Sequence, residues 1–374
     1  MSQRRYKSGI DRSQQTLFPP RLEDYISEHN PVRAIDAYIA GLDMEALGFT
    51  HNAPGRHQAG QPAYAPQMLL KLYLYGYLNR LRSSRTLERE SQRNVELMWL
   101  LEGLQPSYKT IADFRKNNAQ ALRRTQTQFI VLCRALGLSG GQLVAVDGSF
   151  FKGNVSQKSF RTHRKLTAQM AKLEQELAQW HQALDAADRE EAGEPASREE
   201  RDLAEKLDAL REALKEKTEA LADLEQRGKT QYSPVDEEAR LLSKRGQRVA
   251  GFNVQIVTDA QHKLIASSKP KEQAGHWTQR YRSRRRNCCD CVRRAECLTA
   301  KGQAREIWRD QYEADTEAVR QRVMAHPERL AQRNELVEHP FGTLKRRAGW
   351  DHFLVRGLEK VRGEWSLMAW AVGR

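Results

Sequence analysis

Long apolar segments and dispersed cysteines are both missing from this chain. Crossing a bilayer takes about 20 consecutive apolar residues, whereas the longest apolar stretch, residues 68–78, is short and contains Lys71. The N-terminal residues precede no apolar run, so we expect no secretory signal. Four of the five cysteines lie between Cys288 and Cys297, which is not the pattern of a disulfide framework. These absences predict a cytoplasmic protein with no membrane partner.

Acidic residues are outnumbered by basic ones. The 374 residues include 62 Lys and Arg against 48 Asp and Glu, which gives a net charge of +14 and an isoelectric point near 9.6. Such a charge favours a polyanionic partner, although it does not choose between DNA, RNA and an anionic membrane surface. The length allows two or three domains with a sizeable core.

Two short segments carry the most specific chemistry. Residues 143–151 read LVAVDGSFF, an apolar run that predicts a strand with Asp147 near its end. Residues 337–346 read VEHPFGTLKR, in which Glu338 and Lys345 lie seven positions apart. On a helix this spacing spans two turns on one face, about 10 Å. That span suits an acid that holds a metal ion and a lysine that touches a phosphate, although a solvated helix and a tight turn would also explain these residues.

Together the two segments resemble the insertion-sequence DDE transposases. In that family a strand ending in VDGS carries the first catalytic Asp, and a helix reading VEHPFGT carries the catalytic Glu. Further similarity lies in residues 107–115, 232–236 and 251–255. The resemblance implies an all-α N-terminal domain followed by an α/β catalytic domain with a ribonuclease-H-like fold.

The resemblance also implies an activity, a cofactor and a partner. The family uses Mg²⁺ or Mn²⁺ to cut DNA at the ends of the mobile element and then joins the freed 3′-hydroxyl to target DNA. Double-stranded DNA, both the terminal inverted repeats and the target, is therefore the expected partner. Two ions clamp the attacking and leaving oxygens and require carboxylate ligands. Asp147 and Glu338 would be the catalytic metal ligands, whereas Lys345, Arg346 and Arg333 would contact phosphates.

The family's second catalytic Asp has no counterpart that we can find in this chain. The elements that carry it would follow residue 268, but the sequence runs directly into the arginine-rich residues 280–286. We interpret residues 269–300 as the site of an internal deletion. Asp259 is the nearest acid at a strand end, but the family pattern places no catalytic residue there. The interpretation predicts an impaired transposase with an uncovered sheet edge; the alternative is a DNA-binding remnant without catalytic activity.

The N-terminal domain, residues 1–138, has apolar residues at helical spacing. Helices expected over residues 86–91, 95–101 and 110–136 favour a helix-turn-helix-like unit that binds DNA. Three arginines on or beside these helices are the candidate contacts: Arg85, Arg89 and Arg115. An ordinary basic helical bundle would have the same composition.

The catalytic domain is expected over residues 139–374, with strands at 143–151, 249–259 and 263–267 lying side by side. Within it, residues 160–228 contain two heptad seams of leucines separated by a break near Gly193. We favour an antiparallel helical hairpin inserted in this domain. Pairing of the seams with another protomer, in a homodimer, is the alternative.

The last third of the chain combines a cysteine cluster with further helices. Cys288, Cys291 and Cys297 are candidates for a zinc site, but structural zinc needs four ligands, and we favour reduced thiols without zinc. Helices are expected over residues 312–325 and 328–345, the second interrupted near Pro340 because proline removes a helical hydrogen bond. The apolar residues 363–370 are expected to pack on the sheet as a helix.

Overall fold

The protein consists of two compact units. The computed structural model describes residues 21–49, 63–190, 198–244, 246–271, 278–298 and 302–372. Unit 1 contains the chain up to Phe129 together with Ser366–Val372, and unit 2 contains Ile130–Trp365. Both helices and small sheets are present, so the protein is mixed α/β. In the part of the chain that the structure describes, no helix combines the length and the apolar character that crossing a membrane requires.

Unit 1 is helical. Its helices are α1 (Pro31–Ala40), α2 (Met44–Leu47), α3 (Pro66–Leu78), α4 (Ser84–Arg93), α5 (Val95–Leu100), α6 (Tyr108–Asn117) and the greater part of α7 (Ala119–Ala135). Four of them begin after a residue whose side-chain oxygen accepts a hydrogen bond from an amide of the first turn: Asn30, Asp43, Asn94 and Ser107. Such caps satisfy amides that have no partner inside the helix.

Helix α3 is the centre of unit 1. Nearly all of its side chains are buried, and the hydroxyl of Tyr73 donates to the carbonyl oxygen of Ile111 at 2.6 Å. Gly76 allows α4 to approach closely, because a Cβ at this position would lie 2.6 Å from a methyl carbon of Leu87. The core of this unit therefore depends on one apolar helix enclosed by amphipathic neighbours.

One helix predicted for unit 1 is divided into two helices in the structure. The sequence favoured a single helix over residues 110–136, but α6 ends at Asn117 and α7 begins at Ala119. Asn118 between them is buried, and its side-chain amide donates to the carbonyl oxygen of Phe114 at 2.9 Å. Asparagine competes for backbone hydrogen bonds in this way, which explains the break. The break predicted near Asn94 is confirmed, since this residue separates α4 from α5.

Unit 2 contains a four-stranded antiparallel sheet. Its strands are β1 (Val144–Lys152), β4 (Arg240–Lys244), β5 (Gln247–Asp259) and β6 (Ile265–Lys271); β2 (Arg161–Thr162) and β3 (Gln231–Tyr232) form a separate pair. The long strand β5 pairs with β1 along one edge and with β4 and β6 along the other. The prediction that the three apolar segments lie side by side is confirmed.

Glycines shape two positions of this sheet. A side chain at Gly251 would collide with the carbonyl oxygen of Phe151, so only glycine allows β1 and β5 to pair at this point. Gly246 adopts φ 81° between the paired residues Lys244 and Gln247, as a tight β-hairpin requires.

The strands differ from those expected in several of their limits, and strand β4 was not predicted. The strand expected over residues 263–267 begins at Ile265 and continues to Lys271, because Lys263 adopts φ 55° in the preceding turn.

The leucine seams form two long helices, α8 (His163–Glu190) and α9 (Arg198–Gln226). Leu166 near the start of α8 packs with Ala220 and Leu224 near the end of α9. Farther along, the Lys206 ammonium lies 5.2 Å from the ring centroid of Trp180. The start of one helix meets the end of the other, so the pair is antiparallel. The turn predicted near Gly193 lies outside the described residues.

The remaining elements are short strands and helices. In chain order they are β7 (Thr278–Arg282), α10 (Arg285–Cys289), α11 (Arg294–Cys297), β8 (Glu306–Asp310), α12 (Glu313–Ala325), α13 (Glu328–Gly342) and α14 (Leu358–Trp370). Strands β7 and β8 pair with each other as an antiparallel ribbon, which the sequence analysis did not predict.

Helix α13 continues through Pro340, contrary to the predicted interruption. It ends at Gly342 and passes directly into a π-helical turn, Thr343–Arg347. Pro340 is buried, as are Val337 and Phe341 beside it. Proline removes one helical donor, and here apolar packing of the neighbouring residues maintains the helix across this position.

The C-terminal helix α14 packs on the sheet only in part. The Trp365 ring lies 5.3 Å from that of Phe151 in unit 2, as the apolar pattern of this segment predicted. Trp370 instead lies 5.8 Å from Tyr38 and 5.1 Å from Phe129, which belong to unit 1. The prediction that residues 363–370 pack on the sheet is therefore wrong for the end of the helix.

Replacing Trp365 by alanine should destabilise unit 2 strongly. This side chain is 1% exposed and packs against Phe151, so we expect a loss of about 3–5 kcal/mol in the free energy of unfolding, measured in urea. Trp308→Ala is the matched control, because Trp308 is 58% exposed and should cost less than about 1 kcal/mol. Equal losses in the two variants would contradict the packing described for the sheet.

Candidate functional site

Strand β1 presents one row of side chains to helix α13. Because side chains alternate along a strand, Ala145, Asp147, Ser149 and Phe151 share a face. Ala145 packs with Leu336 and Val337 of α13, and the ring of Phe151 lies 6.1 Å from that of Phe341. The two polar members of the row, Asp147 and Ser149, are thereby held between apolar contacts.

Asp147 is paired with an arginine of α13. The Nη2 atom of Arg333 donates to its Oδ1 at 3.0 Å, and the Nε atom donates to the carbonyl oxygen of Val146 at 3.0 Å. About a third of the Asp147 side chain is exposed, and the Arg333 side chain is 41% exposed. The resemblance placed Arg333 on a DNA phosphate; in this structure its guanidinium holds the carboxylate that the sequence predicted to be catalytic.

Lys345 also contacts β1. Its Nζ atom donates to the hydroxyl of Ser149 and to the carbonyl oxygen of Phe150, both at 2.6 Å, and lies 4.4 Å from the ring centroid of Phe151. This ammonium was expected on a phosphate, yet it is engaged with the protein. Arg346, the next residue, is exposed and is thus better placed for a partner in solution.

Glu338 lies on α13 between these two contacts. It follows Arg333 by five residues and precedes Lys345 by seven, and its side chain is exposed while Val337 before it is buried. The helix thus carries Glu338 along β1 with its carboxylate toward solvent. Asp147 and Glu338 therefore lie on two elements that pack against each other.

The outer edge of β1, away from β5, is occupied mainly by cations. The carbonyl oxygens of Val146 and Phe150 accept from Arg333 and Lys345. Lys152 alone makes a backbone bridge there, to His352. Its ammonium donates to the Asp351 carboxylate at 2.7 Å and is the main cause that lowers the pKa of Asp351 to about 2. Among the described residues no other strand pairs with this edge.

Two carboxylates are the metal ligands this site offers. Within the described residues no group of three or more His, Cys, Asp or Glu side chains is close enough to hold a metal ion. Asp259 is buried, and its two oxygens accept from the amides of Gly141 and Gln261, so it serves a local turn. Carboxylates are the correct ligand type for a hard divalent cation, so Asp147 and Glu338 are chemically suited to one. Two carboxylates are fewer than the three of the family's site.

The four clustered cysteines are not grouped closely with other ligand side chains in the described part of the chain. Cys289, Cys291 and Cys297 are exposed, and Cys288 is half-buried. The hydroxyl of Ser283 lies 3.0 Å from the Cys288 sulfur and is the largest cause that lowers the pKa of this thiol.

The three arginines proposed as DNA contacts in unit 1 differ in accessibility. Arg89 is exposed, and the exposed guanidinium of Arg85 lies 4.5 Å from the ring centroid of Tyr108. Arg115 is 6% exposed, with its guanidinium near the rings of Tyr73 and Tyr77. A buried cation cannot reach a phosphate, so Arg115 is a core residue and we omit it from the DNA-binding set.

Two family models match this chain. A model described as a transposase domain (DUF772) matches residues 20–117, which lie in unit 1. A model described as a transposase DDE domain matches residues 259–373, which include α13 and the Glu338 segment. The chain belongs to the insertion-sequence DDE transposases. No curated protein and no solved structure matches it significantly.

Membership in this family carries two general consequences for the chain. Transposase domains imply binding to DNA, and a DDE domain implies a divalent metal ion. Strand β1 lies outside both matched segments, so its part in the site depends on the geometry described above.

Sequence reasoning missed the contacts that tie α13 to β1. The ion pair between Arg333 and Asp147 joins residues 186 positions apart, and the bond from Lys345 to Ser149 joins residues 196 apart. The available signal was the serine of the VDGS string, which sits two residues after the acid and therefore on the same face.

Replacing Lys345 by methionine should destabilise the protein. The change keeps the apolar stem but removes the bonds to Ser149 and Phe150, so we expect a loss of about 2 kcal/mol in unfolding free energy. Arg346→Met removes the same charge from an exposed position and should cost less than about 0.5 kcal/mol. Similar small effects in both variants would show that the bonds from Lys345 to β1 contribute little to stability.

Proposed function

We propose that this chain is a DNA transposase that binds double-stranded DNA at element ends, with a Mg²⁺-dependent cleavage and strand-transfer site that is severely impaired. The observation that carries the proposal is the pair Asp147 and Glu338 on adjoining elements, without a third ligand among the described residues. The presence of Asp147 and Glu338 supports the activity of the family. The lack of a third metal ligand among the described residues supports the impairment of that activity.

A ribonuclease-H-like fold is part of this proposal. It is supported by the antiparallel strands β1, β5 and β6, which lie side by side, and by α13, which packs on the face that carries Asp147. Helix α13 also brings the VEHPFGT segment to the sheet. These features support the assignment of Asp147 as the first acid and Glu338 as the helical acid.

The residues of the site have separable tasks in this proposal. Asp147 and Glu338 would hold Mg²⁺, which when bound supplies charge stabilisation for phosphoryl transfer. Arg333 would hold the Asp147 side chain in place before the metal ion binds, because its guanidinium is also fixed by the carbonyl oxygen of Val146. Arg346 is exposed beside them and would contact the DNA backbone.

The free edge of β1 supports the proposed deletion. In the described residues, Arg333 and Lys345 reach its carbonyl oxygens where a further strand would otherwise donate amides. A strand at this edge would end beside Asp147 and could deliver another carboxylate. Loss of a strand that carried the second Asp would therefore account both for the unpaired edge and for the incomplete ligand set of the described residues.

A non-catalytic DNA-binding remnant is the second candidate. The same incomplete ligand set favours it, and it shares DNA binding with the first candidate. The two differ only in whether any cleavage remains, so a cleavage assay separates them.

Strand nicking should be slow or absent. With one acid missing, we expect a rate at least about 100-fold below that of an intact family member, since each 1.36 kcal/mol of barrier is tenfold in rate. The substrate is a duplex carrying the element's own ends, with Mg²⁺ or Mn²⁺ supplied. Residual nicking that Asp147→Ala and Glu338→Ala both abolish would favour the impaired enzyme over the remnant. Nicking as fast as an intact member would overturn the deletion argument.

Unit 1 should contribute to DNA binding through its exposed arginines. In the full chain, the double change Arg85→Ala/Arg89→Ala should weaken binding to a duplex. The slope of log affinity against log salt should fall in magnitude by about 2, because two phosphate contacts are lost. Arg115→Met should leave the affinity of the folded protein unchanged and lower its stability instead, because Arg115 is buried. The proposed role of Arg85 and Arg89 fails if their double variant binds like the unaltered protein.

A further inference from the structure

Strands β7 and β8 and the helices α10 and α11 between them contain no buried residue among those that the structure describes. We call residues 278–298 and 302–310 the arginine ribbon. Every residue in these two stretches is exposed or half-exposed. An isolated two-stranded ribbon is marginally stable in water, and this one has no apolar side that is covered by another element. The exposure of the ribbon therefore indicates a surface that binds another molecule.

The arginine ribbon carries a large excess of positive charge. Its described residues include nine arginines against four carboxylates. Three arginines have a carboxylate partner: Arg280 pairs with Glu306, Arg293 with Glu296, and Arg309 with Glu317 of α12. These pairs use two of the ribbon's own acids and leave most of the positive charge without compensation.

Four arginines close together lack such partners. Among the described residues, no carboxylate lies within ion-pair distance of any of them, and all are exposed: Arg282, Arg284, Arg285 and Arg286. Like charges this close destabilise the free ribbon, because each guanidinium raises the local potential felt by the others. A polyanion would relieve that repulsion.

Aromatic and aliphatic side chains also face solvent on the ribbon. Tyr281 is 48%, Ile307 51% and Trp308 58% exposed. Tyr281 is the register partner of Ile307, and Arg280 is the partner of Trp308, with its guanidinium 5.5 Å from the Trp308 ring centroid. Alternating side chains place these two pairs on opposite faces, so both faces of the ribbon are available to a ligand.

We propose that the arginine ribbon is a second duplex-DNA-binding surface of this protein, separate from the exposed arginines of unit 1. Its four unpaired arginines would neutralise phosphates of both strands, and a two-stranded ribbon exposed on both faces has the dimensions that the major groove admits. Charge complementarity identifies the occupant as a polyanion, and the transposase domains identify that polyanion as DNA. The inference rests on the proposed function, and it adds a contact surface that the catalytic site does not require.

The test compares two triple variants of the full chain on one fluorescent 30-base-pair duplex of arbitrary sequence. Arg284→Ala/Arg285→Ala/Arg286→Ala removes three of the unpaired arginines. Arg320→Ala/Arg322→Ala/Arg329→Ala is the matched control, since it removes three exposed arginines of α12 and α13 without an ion-pair partner among the described residues. Affinity is measured by anisotropy at several salt concentrations.

The ribbon variant should lose at least tenfold in affinity at moderate salt. The slope of log affinity against log salt should fall in magnitude by about 2 to 3, because each released phosphate contact contributes about 0.9. The control should change the slope by less than about 1. Arg284→Lys/Arg285→Lys/Arg286→Lys should retain most of the binding, and equal melting temperatures of the three variants would establish that folding is intact.

Three outcomes would overturn the inference. Equal losses in the ribbon and control variants would mean that general charge, and not this surface, attracts the duplex, while the proposed function would stand. The protein could instead prefer the single-stranded 30-mer over the duplex by tenfold and lose that preference in Trp308→Ala. This result would mean that bases stack on the ribbon and that duplex DNA is not its ligand. Failure of the unaltered protein to bind the duplex at all would overturn the proposed function together with this inference.

Discussion

The packing of helix α13 on the odd-numbered side chains of β1 is the constraint on which the rest of the site depends. Ala145 and Phe151 supply apolar contacts to Val337 and Phe341, so the polar residues between them face the same helix. Apolar burial gives the packing most of its free energy. The polar contacts of Arg333 and Lys345 then fix the helix in one register along the strand. A change in that register would break the contacts of Arg333 and Lys345 with β1.

This arrangement has an electrostatic consequence. The site holds two cations, Arg333 and Lys345, bound to oxygens of β1, whereas in the proposed function a divalent ion would bind the Asp147 carboxylate. The Arg333 guanidinium donates to Oδ1 of that carboxylate, so Oδ2 could still bind a metal ion, but the positive charge of Arg333 opposes the approach of a second cation. With two acids instead of three, less favourable energy would be available to offset that repulsion. The impairment proposed here thus acts on metal affinity as well as on catalysis.

Local patterns in the sequence predicted the elements but not all of their limits. The apolar runs at β1 and β5 and the leucine seams of α8 and α9 were recognisable because periodicity of two and of 3.6 residues comes from backbone geometry. Strand β4 was missed because its five residues, RLLSK, are too short to show an alternation, although Gly246 beyond it marks the hairpin. The burial of Arg115 under Tyr73 and the pairing of Arg333 with Asp147 depend on residues far away in the chain. Composition cannot distinguish such arginines from exposed ones.

In the part of the chain that the structure describes, no strand pairs with the outer edge of β1, and cations lie along it instead. A free strand edge can pair with the edge of another molecule, and natural proteins oppose this by placing charges beside it. Here the Arg333 guanidinium occupies the carbonyl oxygen of Val146 and the Lys345 ammonium that of Phe150, while Lys152 and His352 close the end of the strand. Two copies approaching edge to edge would bring four of these cations together, and the repulsion would oppose pairing most strongly at low salt. The guanidinium of Arg333, which holds Asp147 in place, therefore also helps to protect this edge of the sheet, and Lys345 protects the edge at Phe150.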